Sequence, residues 1–207
     1  MTIKAILFDL DGVISDTHLI HYEAYRQALW ALYQLEMPLD EYNLMGSIPT
    51  RGRTKYLCDH GTIENDPQKI HSLHLLKKQY TQDMIESMGI DTRLQDFLSK
   101  GKELYNLRYA VASNASDAFV NNMLAIKGIT SFFDSVTGSY SITRSKPNPM
   151  MYLNAMVKLN VAPNESIVIE DSSTGIVAGY RSGAFVYRVS TPLDVNDDLL
   201  DTIGQMQ

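Results

Sequence analysis

The chain of 207 residues predicts an α/β fold, a doubly wound parallel sheet with a helical subdomain inserted after its first strand. Three observations carry the prediction. Short apolar runs closed by polar turns recur along the chain, segments of helical periodicity separate them, and one long helical stretch interrupts the alternation early on.

Ile3 to Phe8 is the first apolar run, and Asp9-Leu10-Asp11-Gly12 closes it, which reads as a buried strand ending in a turn. Three strands of the same character follow. They are Tyr109 to Ala112, ending at Ser113-Asn114; Ser166 to Ile169, ending at Glu170-Asp171; and Phe185 to Val189. Between them, Thr92 to Leu104, Ala118 to Ile126, Met150 to Leu159 and Thr174 to Ser182 carry helical patterns, and Gly175, Gly179 and Gly183 suggest close packing of the last helix on the sheet. Strands alternating with helices of this length indicate right-handed crossovers, a Rossmann-like core. The stretch 15–84 has helical spacing and no convincing strand. Tyr22, Tyr25, Leu29 and Leu32 form one stripe and Leu73, Leu76 and Tyr80 another, with Pro38, Gly46, Pro49 and Gly61 as punctuation. The expected organisation is a core of residues 1–14 and 85–207 carrying an inserted α-helical cap of residues 15–84.

A hydrophobic fraction of 44% supports one substantial core and a smaller subdomain, and a net charge of −6 gives no global attraction to nucleic acid or to an anionic membrane. An anionic substrate must then be held by local cations. The one cysteine, Cys58, excludes an intrachain disulfide and a thiolate metal cluster, and its polar surroundings read as an unreactive thiol. The first apolar run is too short for a signal peptide or a membrane span, so a cytoplasmic location is expected. No dinucleotide or P-loop glycine pattern occurs, which argues against ATP as cofactor. His18 with His21, and His71 with His74, have helical spacing but lack the further ligand a zinc site needs.

The polar residues fall at the C-terminal ends of the strands, where open α/β sheets bind ligands. Asp9 and Asp11 suit two jobs: one carboxylate ligates a hard cation and attacks phosphorus, while the other donates a proton to the leaving oxygen. The plain alternative is a strand-ending Asp-Gly turn. Ser113 and Asn114 offer a hydroxyl and backbone amides to a phosphate oxygen, although Ser116 or Asp117 also fits as a helix cap. Lys146, before Pro147, offsets phosphoryl charge or is a solvated surface lysine. Glu170 and Asp171 place adjacent carboxylates behind a buried strand, which demands a cation or donors, and magnesium takes such oxygen ligands. Asp171 or Ser172 equally fits the start of the next helix.

Asp-x-Asp-Gly, then a strand-ending Ser, then Lys-Pro, then Glu-Asp, in this order over nearly the whole chain, resembles the haloacid dehalogenase superfamily. The segments Asp-Leu-Asp-Gly-Val-Ile-Ser-Asp-Thr, Ser-Lys-Pro-Asn-Pro and Glu-Asp-Ser-Ser-Thr-Gly-Ile-Val-Ala-Gly are similar to the branch that includes β-phosphoglucomutase and sugar-phosphate phosphatases. The resemblance implies that Asp9 is a nucleophile forming an aspartyl-phosphate and Asp11 the general acid and base. It implies that Ser113 and the backbone around Asn114 hold phosphate oxygens, and that Lys146 links nucleophile and phosphate beside an often cis Pro147. It further implies that Mg2+ is held by Asp9, the Asp11 carbonyl, Asp171 and, directly or through water, Glu170. The helical insertion resembles the family's cap, which closes over the site and reads the substrate. There His21 matches a mutase histidine, and Arg51 resembles an arginine that grips a distal anion, with Arg53 as its rival; a helix-face histidine and a solvated basic cluster are the plain alternatives. Lys77 and Lys78 fall near a cap lysine of relatives. The mutases carry a Lys-Asn pair where this chain has Ser116-Asp117, and an aspartate beside a dianionic substrate repels it unless it turns away as a cap. The expectation is a magnesium-dependent phosphatase of a small phosphorylated metabolite, a sugar phosphate first, acting as a monomer. A phosphosugar mutase is the alternative, and a non-catalytic phosphate-binding relative comes third.

Overall fold

The apolar runs pair edge to edge. The computed structural model describes residues 2–45, 48 and 50–207, and its strands form one parallel sheet. The strands are β1 (Ala5–Phe8), β2 (Arg108–Ala112), β3 (Ser135–Thr137), β4 (Ser166–Glu170) and β5 (Phe185–Arg188), in the order β3-β2-β1-β4-β5. β1 is hydrogen-bonded on both sides, Phe8 lying opposite Val111 of β2 and Ile169 of β4. The strand order reverses at β1, so the crevice for ligands opens at the C-terminal ends of β1 and β4. β3 is absent from the sequence reading because its three residues are shorter than the runs on which strand periodicity is judged.

The helices are α1 (His18–Tyr33), α2 (Leu39–Leu44), α3 (Thr50–Asp59), α4 (Pro67–Glu86), α5 (Thr92–Tyr105), α6 (Asp117–Ile126), α7 (Met150–Leu159), α8 (Ser173–Ser182) and α9 (Asp197–Gln205). The chain divides into two units, Met1–Asp16 with Gly89–Gln207, and Thr17–Met88. In the sheet unit, alternation along the strands separates two faces. Ala5, Leu7, Ala110, Ala112 and Val168 pack with Met151, Tyr152 and Ala155 of α7 and Ala178 of α8. Phe8 points the other way, edge-on to Phe97 of α5 at 6.4 Å, to Tyr109 at 5.8 Å and to Phe133 at 5.6 Å.

Side-chain caps fix where the helices begin. Ser116 Oγ accepts from Phe119 N–H at the start of α6, and Ser172 Oγ accepts from Gly175 N–H at the start of α8. Between the paired alternatives of the sequence, the serine caps in each case. Asp91 and Asp66 cap α5 and α4, the latter with Pro67 in the first helical position.

In the helical unit α1 packs on α4, and Tyr25, Ala28, Leu29, Met37, Tyr42, Leu57, Ile63 and Leu73 form its core. Tyr22, Leu32, Leu76 and Tyr80 pack on that core half-buried, so both stripes face inward. Cys58 is half-buried, and burial lifts its thiol above the ordinary value, which keeps it protonated. Gly46 and Pro49 lie outside the described residues. Among those described, no helix is long and apolar enough to cross a membrane.

The glycines of α8 do different work. Gly183 ends the helix with φ of 82°, a left-handed conformation that suits glycine. Gly179 lies against the sheet, where an added Cβ would stand 2.9 Å from Val186 Cγ2 and 3.1 Å from Val168 Cγ1. Gly179→Ala is therefore expected to overpack the α8–sheet contact and cost about 1–3 kcal/mol, read as a lower denaturation midpoint with an unchanged m-value. An unchanged midpoint would show that the sheet yields freely there.

Candidate active site

The site begins where β1 ends. Asp9 N–H donates to Ile169 O at 3.0 Å, which carries the sheet ladder one residue past the strand and fixes the Asp9 backbone beside β4. The chain then turns tightly: Gly12 N–H donates to Ser15 O at 2.8 Å, and Ile14 and Ser15 N–H both donate to Leu10 O. Gly12 has φ of 80°, and any Cβ placed on it would overlap the Asp171 carboxylate. The glycine of Asp-Leu-Asp-Gly thus serves twice, making the turn and letting the acidic end of β4 lie against it.

Lys146 stands at the centre. Its buried ammonium donates to Asp9 Oδ1 at 2.6 Å and to Glu170 Oε1 at 2.6 Å, joining three segments distant in sequence. Its loop is held from the β2 end, where Asn114 Oδ1 accepts from Lys146 N–H at 3.2 Å, and the Lys146–Pro147 bond is cis. Glu170 is enclosed: Oε1 also accepts from Tyr152 O–H at 2.6 Å, while Oε2 accepts from Ser172 N–H at 3.2 Å and Ser172 Oγ at 3.0 Å. A Cβ on Gly175 would overlap the Glu170 carboxylate, so the first turn of α8 comes as close as its backbone allows.

Electrostatics follow from this crowding. Burial lifts the Asp9 carboxyl to about 7; Lys146 works against the rise, and Glu170 and Asp11 add to it. Partial burial and then Glu170 raise Asp171, which stands at the solvent edge. Burial opposes the Lys146 charge, but Asp9 and Glu170 more than offset it and hold the ammonium above its ordinary value. Asp9, Glu170 and Asp171 each bring a carboxylate oxygen within 4.8 Å of the others. Carboxylates outnumber the single ammonium, and the donors are all oxygen, a set suited to a hard divalent cation. The residues fit that ion, whose charge would offset the burial and the neighbouring carboxylates that raise Asp9 and Asp171.

Ser113 is fully buried at the end of β2, and its Oγ accepts from Ala115 N–H at 3.1 Å, which leaves the hydroxyl proton to donate elsewhere. The Asn114 side chain is committed to the Lys146 backbone. Asp117 is engaged with the loop after β3, accepting from Gly138 N–H at 3.0 Å, Tyr140 N–H at 3.2 Å and Ser141 Oγ–H at 2.6 Å. Those donors hold its carboxyl below the usual range.

In the helical unit, His21 Nδ1 lies 3.0 Å from Lys77 Nζ. Burial and then Lys77, His18 and Arg53 push His21 down to about 4, and burial and then Arg53 push Lys77 down to about 8. Arg51 is exposed. Arg53 is buried, stacked 3.6 Å from the Tyr42 ring centroid and donating to Ile48 O and Tyr42 O. The sequence reading passed over Tyr152, which lies on an apolar helix face; its one signal is a phenol at a core position, which needs a hydrogen-bond partner.

Comparison with known proteins agrees with this geometry. A profile of the family described as haloacid dehalogenase-like hydrolase matches residues 6–189. The chain is 26% identical over 184 residues to the phosphorylated carbohydrates phosphatase of Thermotoga maritima, covering 87% of this chain and 82% of that one. It is 26% identical to the fructose-1-phosphate phosphatase YqaB of Escherichia coli (86% and 92% covered) and 27% identical to the β-phosphoglucomutase of Bacillus subtilis (90% and 83%). The crystal structure of β-phosphoglucomutase from Clostridium difficile superposes with a TM-score of 0.73 at 22% identity, covering 99% of this chain and 98% of that one, a likeness of fold. With the profile spanning the sheet, the Asp9 loop, Lys146 and the Glu170-Asp171 strand end, the chain belongs to the haloacid dehalogenase-like hydrolase family.

Proposed function

We propose that this chain is a magnesium-dependent phosphoric monoester hydrolase acting on a small phosphorylated carbohydrate through an aspartyl-phosphate on Asp9. The observation that carries the reading is the buried Lys146 ammonium, bonded to Asp9 and to Glu170 at the C-terminal ends of β1 and β4. It opposes the burial that lifts Asp9 and aims that carboxylate, while the other fixes the lysine. Asp9 attacks phosphorus, the bond to the leaving oxygen breaks, and Asp11 protonates that oxygen. Asp11 then takes a proton from water, which attacks the acyl phosphate, frees inorganic phosphate and restores Asp9. Asp9, Asp171 and the Asp11 carbonyl, with Glu170 beside them, would hold magnesium, which would supply positive charge against the phosphoryl group. The Ser113 hydroxyl and the backbone of Asn114 hold phosphate oxygens, since the Asn114 side chain is already used.

The carbohydrate class rests on the names of the relatives, two of them phosphatases of sugar phosphates. In the helical unit, burial first and then neighbouring charge lower His21 and Lys77, so a neutral His21 ring stands 3.0 Å from a half-buried Lys77 ammonium that an anionic substrate group would stabilise. We assign substrate reading to His21 with Lys77, and to exposed Arg51 rather than buried Arg53. One observation favours a phosphosugar mutase as the second reading: the Asp117 carboxylate is occupied by three donors of its own loop, which weakens the case against a second phosphate.

Phosphate release from a panel of sugar phosphates, nucleotides and phosphoglycolate, with and without magnesium, tests the assignment. Release is expected to need the metal and to fall at least about a thousand-fold in Asp9→Asn. Release unaffected by that substitution would overturn the nucleophile. Conversion of β-glucose 1-phosphate to the 6-phosphate without loss of phosphate would establish the mutase.

Lys77→Met tests the Lys77–His21 pair. The Lys77 ammonium titrates at about 8 in the folded chain against 10.5 for an ordinary lysine, so between those values the unfolded chain binds more protons and stability rises with pH. Lys77→Met is expected to lose that rise, to gain of order 1–2 kcal/mol at neutral pH after solvent screening, and to raise KM for the sugar phosphate. A destabilised variant with unchanged KM would refute the assignment.

A further inference from the structure

The Glu170 carboxylate, fully buried, accepts four donors: Lys146 Nζ and Tyr152 O–H on one oxygen, Ser172 N–H and Ser172 Oγ–H on the other. A carboxylate has about four lone-pair sites, so this set saturates it. The arrangement is also rigid. Tyr152 lies on α7 with its side chain fully buried, Ser172 is the cap of α8, and Gly175 abuts the carboxylate from the first turn of that helix. The Tyr152 ring touches the lysine as well, its centroid 4.9 Å from Nζ. The phenol therefore meets both members of the buried pair, the ring against the ammonium and the hydroxyl against its carboxylate.

Resting on the phosphatase reading for its kinetic part, we propose that Tyr152 is a positioning residue, whose hydroxyl locks Glu170 as the anchor that aims Lys146 at Asp9. The reasoning is geometric. An ammonium shared between two carboxylates is free to slide toward either one. Glu170 cannot follow it, because its second oxygen is tied to Ser172 and its first to a phenol on another helix. The lysine consequently swings on a fixed pivot, and its remaining reach covers Asp9 and the phosphoryl oxygen that Asp9 receives. Without the phenol O–H, Oε1 keeps a single donor and the pivot loosens toward the lysine. Saturation has a second consequence: it leaves Glu170 no free lone pair for a cation, whereas Asp171, at the solvent edge, offers one.

Tyr152→Phe removes the hydroxyl and retains the ring. In the full-length chain it is expected to lower kcat ten- to a hundred-fold, with KM within about threefold and the affinity for Mn2+, read by electron paramagnetic resonance without substrate, within about threefold. In 15N-lysine spectra of the substrate-free protein, the Lys146 ammonium is expected to give a slowly exchanging signal, identified by its loss in Lys146→Met, that broadens in Tyr152→Phe. Kinetics within twofold of the parent, a Lys146 signal unchanged by the substitution, or kcat and Mn2+ affinity lost in step with melting temperature would each overturn the proposal. The spectrum reads the anchor whether or not a phosphate ester turns over, so failure of the phosphatase reading shows itself separately as absence of phosphate release from the parent. If Tyr152→Phe does not fold, Ser172→Ala tests the same pivot from the other oxygen, with Ser172→Thr, which keeps the hydroxyl, expected to restore the slow signal.

Discussion

A lysine buried between two carboxylates governs this molecule. Lys146 reaches Asp9 at the end of β1 and Glu170 at the end of β4, so its charge is needed wherever those strand ends are brought together. An unpaired charge at that depth would cost several kcal/mol, and the contacts around it are what make the burial tolerable. The cap of α8, the phenol on α7 and the Asn114 side chain at the end of β2 all serve this one ammonium or its partner carboxylate. The elements that build the sheet unit are thus the elements that aim the lysine.

The same crowding explains why particular positions carry no side chain. Gly12 and Gly175 lie where a Cβ would strike Asp171 and Glu170. These glycines allow two backbone segments to close on carboxylates that electrostatics alone would push apart. The result is a surplus of negative charge held in place by packing, with Asp9 and Asp171 both raised above the ordinary carboxylate range. A divalent cation bound there would offset the cost of burying these carboxylates, so its binding would couple to their protonation.

Much of this was legible in the sequence because it is local or periodic. Apolar runs predicted β1, β2, β4 and β5, and helical spacing predicted α5 to α8 within a residue or so of their ends. Polar residues at strand ends were visible as such, and topology rules then carried them to one crevice. What stayed hidden was either too short or too distant. β3 has three residues. Tyr152 sits in a helix whose inward face reads as plain core, and nothing near it in sequence announces that its hydroxyl meets Glu170 from eighteen residues away. Arg51 and Arg53 are two apart, and which of them is buried depended on a stacking partner, Tyr42, that only the fold supplies.

Asp117 shows why a charge read from a sequence needs a direction before it becomes an argument. By position it follows the end of β2, where the sequence alone made its sign speak against a second phosphate. Its carboxylate is spent instead on two backbone N–H groups and a hydroxyl of residues 138–141, the start of the loop that leads to Lys146. Asn114 holds the far end of that loop by the Lys146 N–H. Asn114 of the β2–α6 turn and Asp117, the first residue of α6, therefore grip the lysine loop at both ends. An aspartate used this way contributes order to the loop that leads to Lys146, and its charge is held by donors of that loop. Position alone therefore gives Asp117 no weight in deciding between hydrolysis and isomerisation; the direction of its carboxylate, toward residues 138–141, is what counts.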